Sequence, residues 1–145
     1  MNDVSADPTA MTIATPDPLI LKTFQNYAEV FETLKPSAVL PYYQYPAILI
    51  SEQKPVKITN AIVGWVAFKI AMLLLKWRGY DHGKTESLNV RQLREDLAIV
   101  TGTVIRYKRD GGELERFDLN YTLRNGKHGW KIVVGALLTI AKETA

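Results

Sequence analysis

A chain of 145 residues is about one domain's worth, long enough to bury a single sizeable core, and its 47% hydrophobic and 23% charged residues are ordinary for a globular protein. The absence of cysteine excludes disulfides, thiolate catalysis and cysteine-ligated zinc, and fits a cytoplasmic setting. The net charge of +3 is dispersed, with Arg106, Lys108, Arg109, Arg116 and Arg124 interleaved with Asp110, Glu113, Glu115 and Asp118, which argues against the clustered basic surface that nucleic acid requires.

The first 17 residues hold Asp3, Asp7 and Asp17, no Lys or Arg, and no long apolar run, so they read as a disordered leader before a single domain over 18–145. Asp17 is placed to cap a helix that has Pro18 in its first turn, and Phe24, Tyr27, Phe31 and Leu34 recur at offsets of three and four, forming one buried stripe. Pro36 stops that helix, and Ser37 is expected to cap a short second one ending near Tyr42. The run YPAILI reads as a strand, with Val56 to Ile58 as a short partner.

Thr59 or Asn60 then caps a long helix running to about Arg78, with Gly79 just past its end. Its segment AIVGWVAFKIAMLLL is apolar around the whole wheel, which predicts burial on more than one side. It contains Lys69 and falls short of the roughly 20 apolar residues that a membrane span needs.

The last third reads as an antiparallel meander. Thr85 to Leu93 and Leu97 to Lys108 are strands, the latter with Ile99, Thr101, Thr103, Ile105 and Tyr107 on one face. A turn over Asp110 to Glu113 leads into Glu113 to Arg124, where Phe117, Leu119, Tyr121 and Leu123 form a core face and Arg116, Asp118, Asn120 and Thr122 a wet one. A glycine-flanked turn from Asn125 to Gly129 leads into the final strand. There Trp130, Ile132, Val134, Ala136 and Leu138 share one face, and Val133 and Leu137 make the other apolar too.

This element order, with FQNYAEVF followed by PSAVLPYY and the closing segments DLAIVTGTV, ERFDLNYTLRNG and GWKIVVGAL, resembles the nuclear transport factor 2-like superfamily over roughly residues 18 to 141. That superfamily includes steroid isomerases and polyketide cyclases of the SnoaL type. The resemblance implies an α+β fold, a strongly curved antiparallel sheet wrapped around about three helices into a cystatin-like cone with a pocket, often in a homodimer. In the steroid-isomerase branch a first-helix tyrosine and a late-strand acid form an oxyanion hole, and a carboxylate on the first strand moves the proton. The matching positions are Tyr27 for the tyrosine and Ser51 for the base, with Glu52 beside it. The acid position falls on Leu119 if hydrophobic alternation sets the register, or on Asn120 if the Asn125-Gly126 turn does; Asp118 is one step off in either case. A serine has no useful basicity, so the familiar base is missing.

The two histidines, His82 and His128, sit among glycines in expected turns, and their spacing suggests no metal site; no cofactor is expected. The remaining candidates are pocket linings: Tyr27, Phe31, Tyr43 or its neighbour Tyr42, Ser51, Trp65, Phe68, Leu119 and Tyr121. The expectation is a domain that binds a small hydrophobic molecule, with a cofactor-free isomerase, cyclase or dehydratase using Tyr27 and Glu52 or Asp118 as the alternative. A third reading is a homodimeric interaction module, self-associating through the outer sheet around Val133 and Leu137.

Overall fold

The computed structural model describes residues 12–140. Asp17 caps α1 (Pro18–Phe31) by accepting the Leu19 amide at 2.9 Å, with Pro18 supplying the first helical φ. The helix buries Ile20, Phe24 and Tyr27 on one side. Next comes α2 (Pro36–Val39), which starts from Lys35 and not from Ser37, because Pro36 at the first position leaves one fewer amide to cap. A 3₁₀ turn over Leu40–Tyr42 delivers the chain to β1 (Tyr43–Ile50) and β2 (Val56–Ile58). Asn60 caps α3 (Ala61–Trp77), its Oδ1 accepting the Val63 amide at 2.9 Å, and Gly79 ends it with φ at +91°.

Four long strands follow: β3 (Tyr80–Arg94), β4 (Leu97–Lys108), β5 (Glu113–Gly126) and β6 (Gly129–Thr139). They join β1 and β2 in one six-stranded sheet of order β2-β1-β6-β5-β4-β3. All pairings are antiparallel except β1 with β6. Those two strands are separated in sequence by α3 and the meander, so no tight hairpin dictates their direction. The sheet is curved and unclosed, and it wraps the helices into a cone.

Four expectations change. The strand β3 begins at Tyr80 instead of Thr85, so His82 and Gly83 lie in a strand: β4 is long enough to pair with them, and the Gly83 amide donates to Glu32 Oε1 at 3.0 Å. In its described part the leader is tied down, Ile13 bridging to Gln92 on the edge strand β3 and the Asp17 amide donating to the buried Gln92 Oε1 at 2.8 Å. The rest of that leader, and residues 141–145 of the expected domain, lie outside the described residues. In β6 a register shift against β5 switches the pleat: Ile132 pairs with Leu123 inside, but Val134 pairs with the outward Thr122, which puts Gly135 and Leu137 inward.

The fourth change concerns α3. It buries only Gly64, Phe68, Met72 and Leu75, and its opposite stripe is open, with Ile62 78% and Trp77 86% exposed and Val66, Ile70 and Leu73 about half exposed. The concave sheet offers the helix one surface, and among the described residues nothing covers the other side. Because these side chains lose little surface on folding, Ile62→Gln and Trp77→Gln are each expected to shift unfolding free energy by less than about 0.5 kcal/mol in urea titrations. A loss of about 2 kcal/mol at either would show that the stripe is covered in solution. Among the described residues, no helix is long and apolar enough to cross a membrane.

Candidate functional site

Two cavities of about 220 and 430 Å³ open inside the cone. Tyr27, Phe31, Arg106, Tyr121 and Leu137 line both, so these five side chains form the partition between them. The helix α1 supplies the first two at adjacent turns, and the inward pleats of β4, β5 and β6 supply the rest. At 430 Å³ the larger space falls within the range of small-molecule pockets.

The closed end of the partition is a cluster of phenols. Tyr27 and Tyr43 share a hydrogen bond, oxygen to oxygen, at 2.7 Å, and the ring of Tyr27 lies 5.9 Å from that of Tyr121 and 5.6 Å from that of Tyr43. Gly135 makes this packing possible. It stands opposite Tyr121 across the β5–β6 pair, and a Cβ there would lie 2.8 Å from Tyr121 Cε2 and 3.3 Å from Leu49 Cδ2. Without that Cβ, the tyrosine ring packs close to the β6 backbone at Gly135.

Burial pushes the Tyr27 and Tyr43 phenols well above their ordinary value of 10.0, and raises Tyr121 as well. The folded protein therefore holds protons that the unfolded chain releases near pH 10. Stability from this source is complete below pH 10 and falls as pH rises above it, at about 1.4 kcal/mol per pH unit for each phenol kept neutral. Urea midpoints measured between pH 9 and 11 are expected to fall steeply, and Tyr43→Phe to reduce the slope by about one phenol's share. At neutral pH these hydroxyls are neutral donors and acceptors, not bases.

The open end carries charge. Arg106 and Glu115 face each other across β4 and β5 as a cross-strand pair, joined by Arg106 Nη1 to Glu115 Oε2 at 2.8 Å. The other carboxylate oxygen accepts from Arg78 Nη2 at 2.8 Å, so one carboxylate bridges two guanidiniums. The side chains of Arg106 and Glu115 are only 13% and 14% exposed. The Arg106 guanidinium also lies over two rings, 5.0 Å from the centre of Phe117 and 5.5 Å from that of Phe31.

Of the expected pocket residues, Tyr27, Phe31, Tyr43, Phe68, Leu119 and Tyr121 do line the cavities, and Ser51 sits at the mouth of the larger one. Trp65 does not. It is exposed on α3, one residue after the buried Gly64 and three before the buried Phe68, with Lys69 Nζ 5.8 Å from its ring centre. Leu137, expected on the outer face, lines the cone, and Val133 falls at the register shift of β6 and is half-buried. Hydrophobic alternation sets the register of β5: Leu119 is buried inside, and Asp118 and Asn120 are exposed outside. Glu52 reaches the mouth of the larger cavity, but its Oε1 accepts the Thr139 amide at 2.7 Å. His82 is exposed, stacked on Tyr107 with ring centres 5.0 Å apart, and His128 is exposed in the β5–β6 turn. Among the described residues, no three His, Asp or Glu side chains converge as a metal site would require.

Arg106 and Glu115 were not singled out from the sequence, yet pleat parity marks both. Arg106 continues the face of Ala98, Val100 and Val104, and Glu115 that of Phe117, Leu119 and Tyr121. A charge at the end of each inward row was the available signal.

Three solved structures illustrate the likeness. An NTF2-like protein with a cystatin-like fold from Novosphingobium aromaticivorans has a TM-score of 0.71 at 13% identity, covering 86% of this chain and 81% of that one. An NTF2-like protein of unknown function from Pseudomonas putida has a TM-score of 0.71 at 10% identity, covering 86% of each chain. A ketosteroid isomerase-like protein from Erwinia carotovora atroseptica has a TM-score of 0.61 at 14% identity, covering 85% of this chain and 95% of that one. At such identities the likeness concerns the fold alone. No curated protein matches this chain significantly. The sequence itself matches the family described as NTF2-like protein (DUF6841) over residues 17–139, from the cap of α1 to the end of β6, and the chain belongs to that family.

Proposed function

We propose that this protein binds a small, largely apolar organic molecule inside the cone. The observation that carries this reading is the pair of adjoining cavities walled by aromatic and aliphatic side chains, with a few polar groups at defined points. The test is thermal unfolding against a panel of aromatic and alicyclic compounds of naphthalene size. A ligand at 100 times its Kd contributes about 2.7 kcal/mol, which for a domain of this size raises Tm by roughly 5–10 °C. A panel that moves Tm nowhere would count against the reading.

The isomerase-like alternative needs a carboxylate that can take up a proton beside Tyr27. Asp118 is on the outer face, Glu52 is engaged by the Thr139 amide, Glu32 by the Gly83 amide, and Glu115 by both Arg78 and Arg106. These placements favour binding over proton transfer. A homodimer through the outer sheet is compatible with either. Ile48 and Val134 are paired there, as are Ile50 and Ala136, and with Leu138 they make one outward apolar patch. A second copy related by a two-fold axis would cover it. Val134→Glu is then expected to turn a dimer into a monomer in light scattering, and a wild-type protein that is monomeric at high concentration would refute the dimer.

A further inference from the structure

We propose that Arg106 anchors an anion subsite in the cone, and that the ligand class is an amphipathic monocarboxylate: an apolar or aromatic body bearing one carboxylate. The proposal rests on the cone being a ligand pocket and adds which chemistry it selects. A guanidinium has five N–H donors. Arg106 directs one arm at Glu115, and that is its one side-chain hydrogen bond within the described structure. Yet no buried side-chain nitrogen lacks a partner among the described residues, so the remaining donors of Arg106 are open to the cavities that its side chain lines. They form a set of free donors next to the rings of Phe31 and Phe117, in a lining that also carries Glu29, Glu32, Lys84 and Glu52.

Arg78 and Arg106 share the single carboxylate of Glu115, and Arg106 and Glu115 are nearly buried; Glu29, Glu32 and Lys84 also line the smaller cavity, so the selection rests on the free guanidinium edge and not on a net positive charge. Glu52 also reaches the rim, but it is exposed to water and spends an oxygen on a backbone amide. A planar carboxylate matches the geometry of the free guanidinium edge, and the rings of Phe31 and Phe117 beside that edge offer an apolar body its contact surface. A neutral carboxamide offers those donors one uncharged acceptor oxygen in place of two charged ones and forfeits the difference.

The probes are 1-naphthoate and its neutral isostere 1-naphthamide, titrated by calorimetry at pH 7. The expected result is that naphthoate binds the wild-type protein at least ten times more tightly than naphthamide. In Arg106→Met combined with Glu115→Gln, which removes both charges together, the ratio is expected to fall to near one. In Glu115→Gln alone, which removes the carboxylate that competes for Arg106, it is expected to rise. Equal affinities in the wild type, or a preference that survives loss of Arg106, would overturn the anion subsite and leave the apolar pocket standing. If neither compound binds, the pocket reading and the subsite fall together. Should the variants fail to fold, the wild-type ratio of naphthoate to naphthamide affinity decides the matter.

Discussion

Gly135→Leu is expected to abolish ligand binding while leaving a folded protein. The new Cβ alone would sit 2.8 Å from Tyr121 Cε2 and 3.1 Å from Cζ, closer than non-bonded carbons approach, and these atoms belong to a ring packed against α1 with little room to retreat. The branched remainder of the leucine projects into the larger cavity that Gly135 lines. Two effects follow. Displacing the ring strains a packed wall, at about 1–3 kcal/mol for overpacking of this kind. Filling the cavity removes the space in which any apolar body sits, so affinity for a probe that binds the wild type is expected to drop at least 100-fold, which is about 2.7 kcal/mol. Calorimetry with the best compound from the thermal panel measures the second effect, and urea unfolding the first. A variant that binds as tightly as wild type would place the ligand elsewhere.

Glu115→Gln is expected to produce the largest loss of stability for a change of so few atoms. The substitution keeps the shape and removes the charge that compensates Arg106, whose side chain is 13% exposed. Removing one partner of a buried pair costs about 3–5 kcal/mol, because the other charge is left unpaired in a poor solvent. The remaining Arg106 donors are open to the cavities, and the Arg78 half of the cluster is 44% exposed, so the lower end, about 3 kcal/mol, is expected. Adding Arg106→Met removes the stranded charge and is expected to restore at least about 1 kcal/mol. The double-mutant cycle in urea reads this coupling directly. If the double variant is less stable than Glu115→Gln alone, Arg106 contributes through its packing on Phe31 and Phe117 more than through the ion pair.

Much of the fold was legible because it is written locally. Asp17 with Pro18, Asn60 with Gly79, and the alternation of Phe117, Leu119, Tyr121 and Leu123 each specify their element within a few residues, and all appear where the sequence places them. What was not legible depends on partners distant in sequence. The shift in β6 is set by its pairing with β5 on one side and β1 on the other, and it alone moves Leu137 from the outer face to the cone. The orientation of α3 is decided by which stripe meets the sheet, and composition cannot choose among several apolar stripes. Trp65 was therefore placed in the pocket and is found outside it.

The candidate site divides in the same way. Its aromatic members were readable from helical spacing and pleat parity. Its charged members are not readable in that way: along the chain Arg106 and Glu115 belong to an evenly mixed set of charges, whereas in three dimensions each ends an inward row and the two meet across strands. Their parity was visible in the chain, but its meaning required knowing which face of β4 is concave.

The central claim is that the cone is an open, ligand-accessible pocket. The most direct measurement is a two-dimensional amide NMR titration of the wild-type protein with the best-binding compound, since the exposed stripe of α3 is a competing apolar surface. Saturable shifts are expected at Tyr27, Leu119, Tyr121 and Gly135, with Ile62, Val66 and Trp77 unmoved. Shifts confined to the α3 stripe, or none at saturating compound, would contradict it.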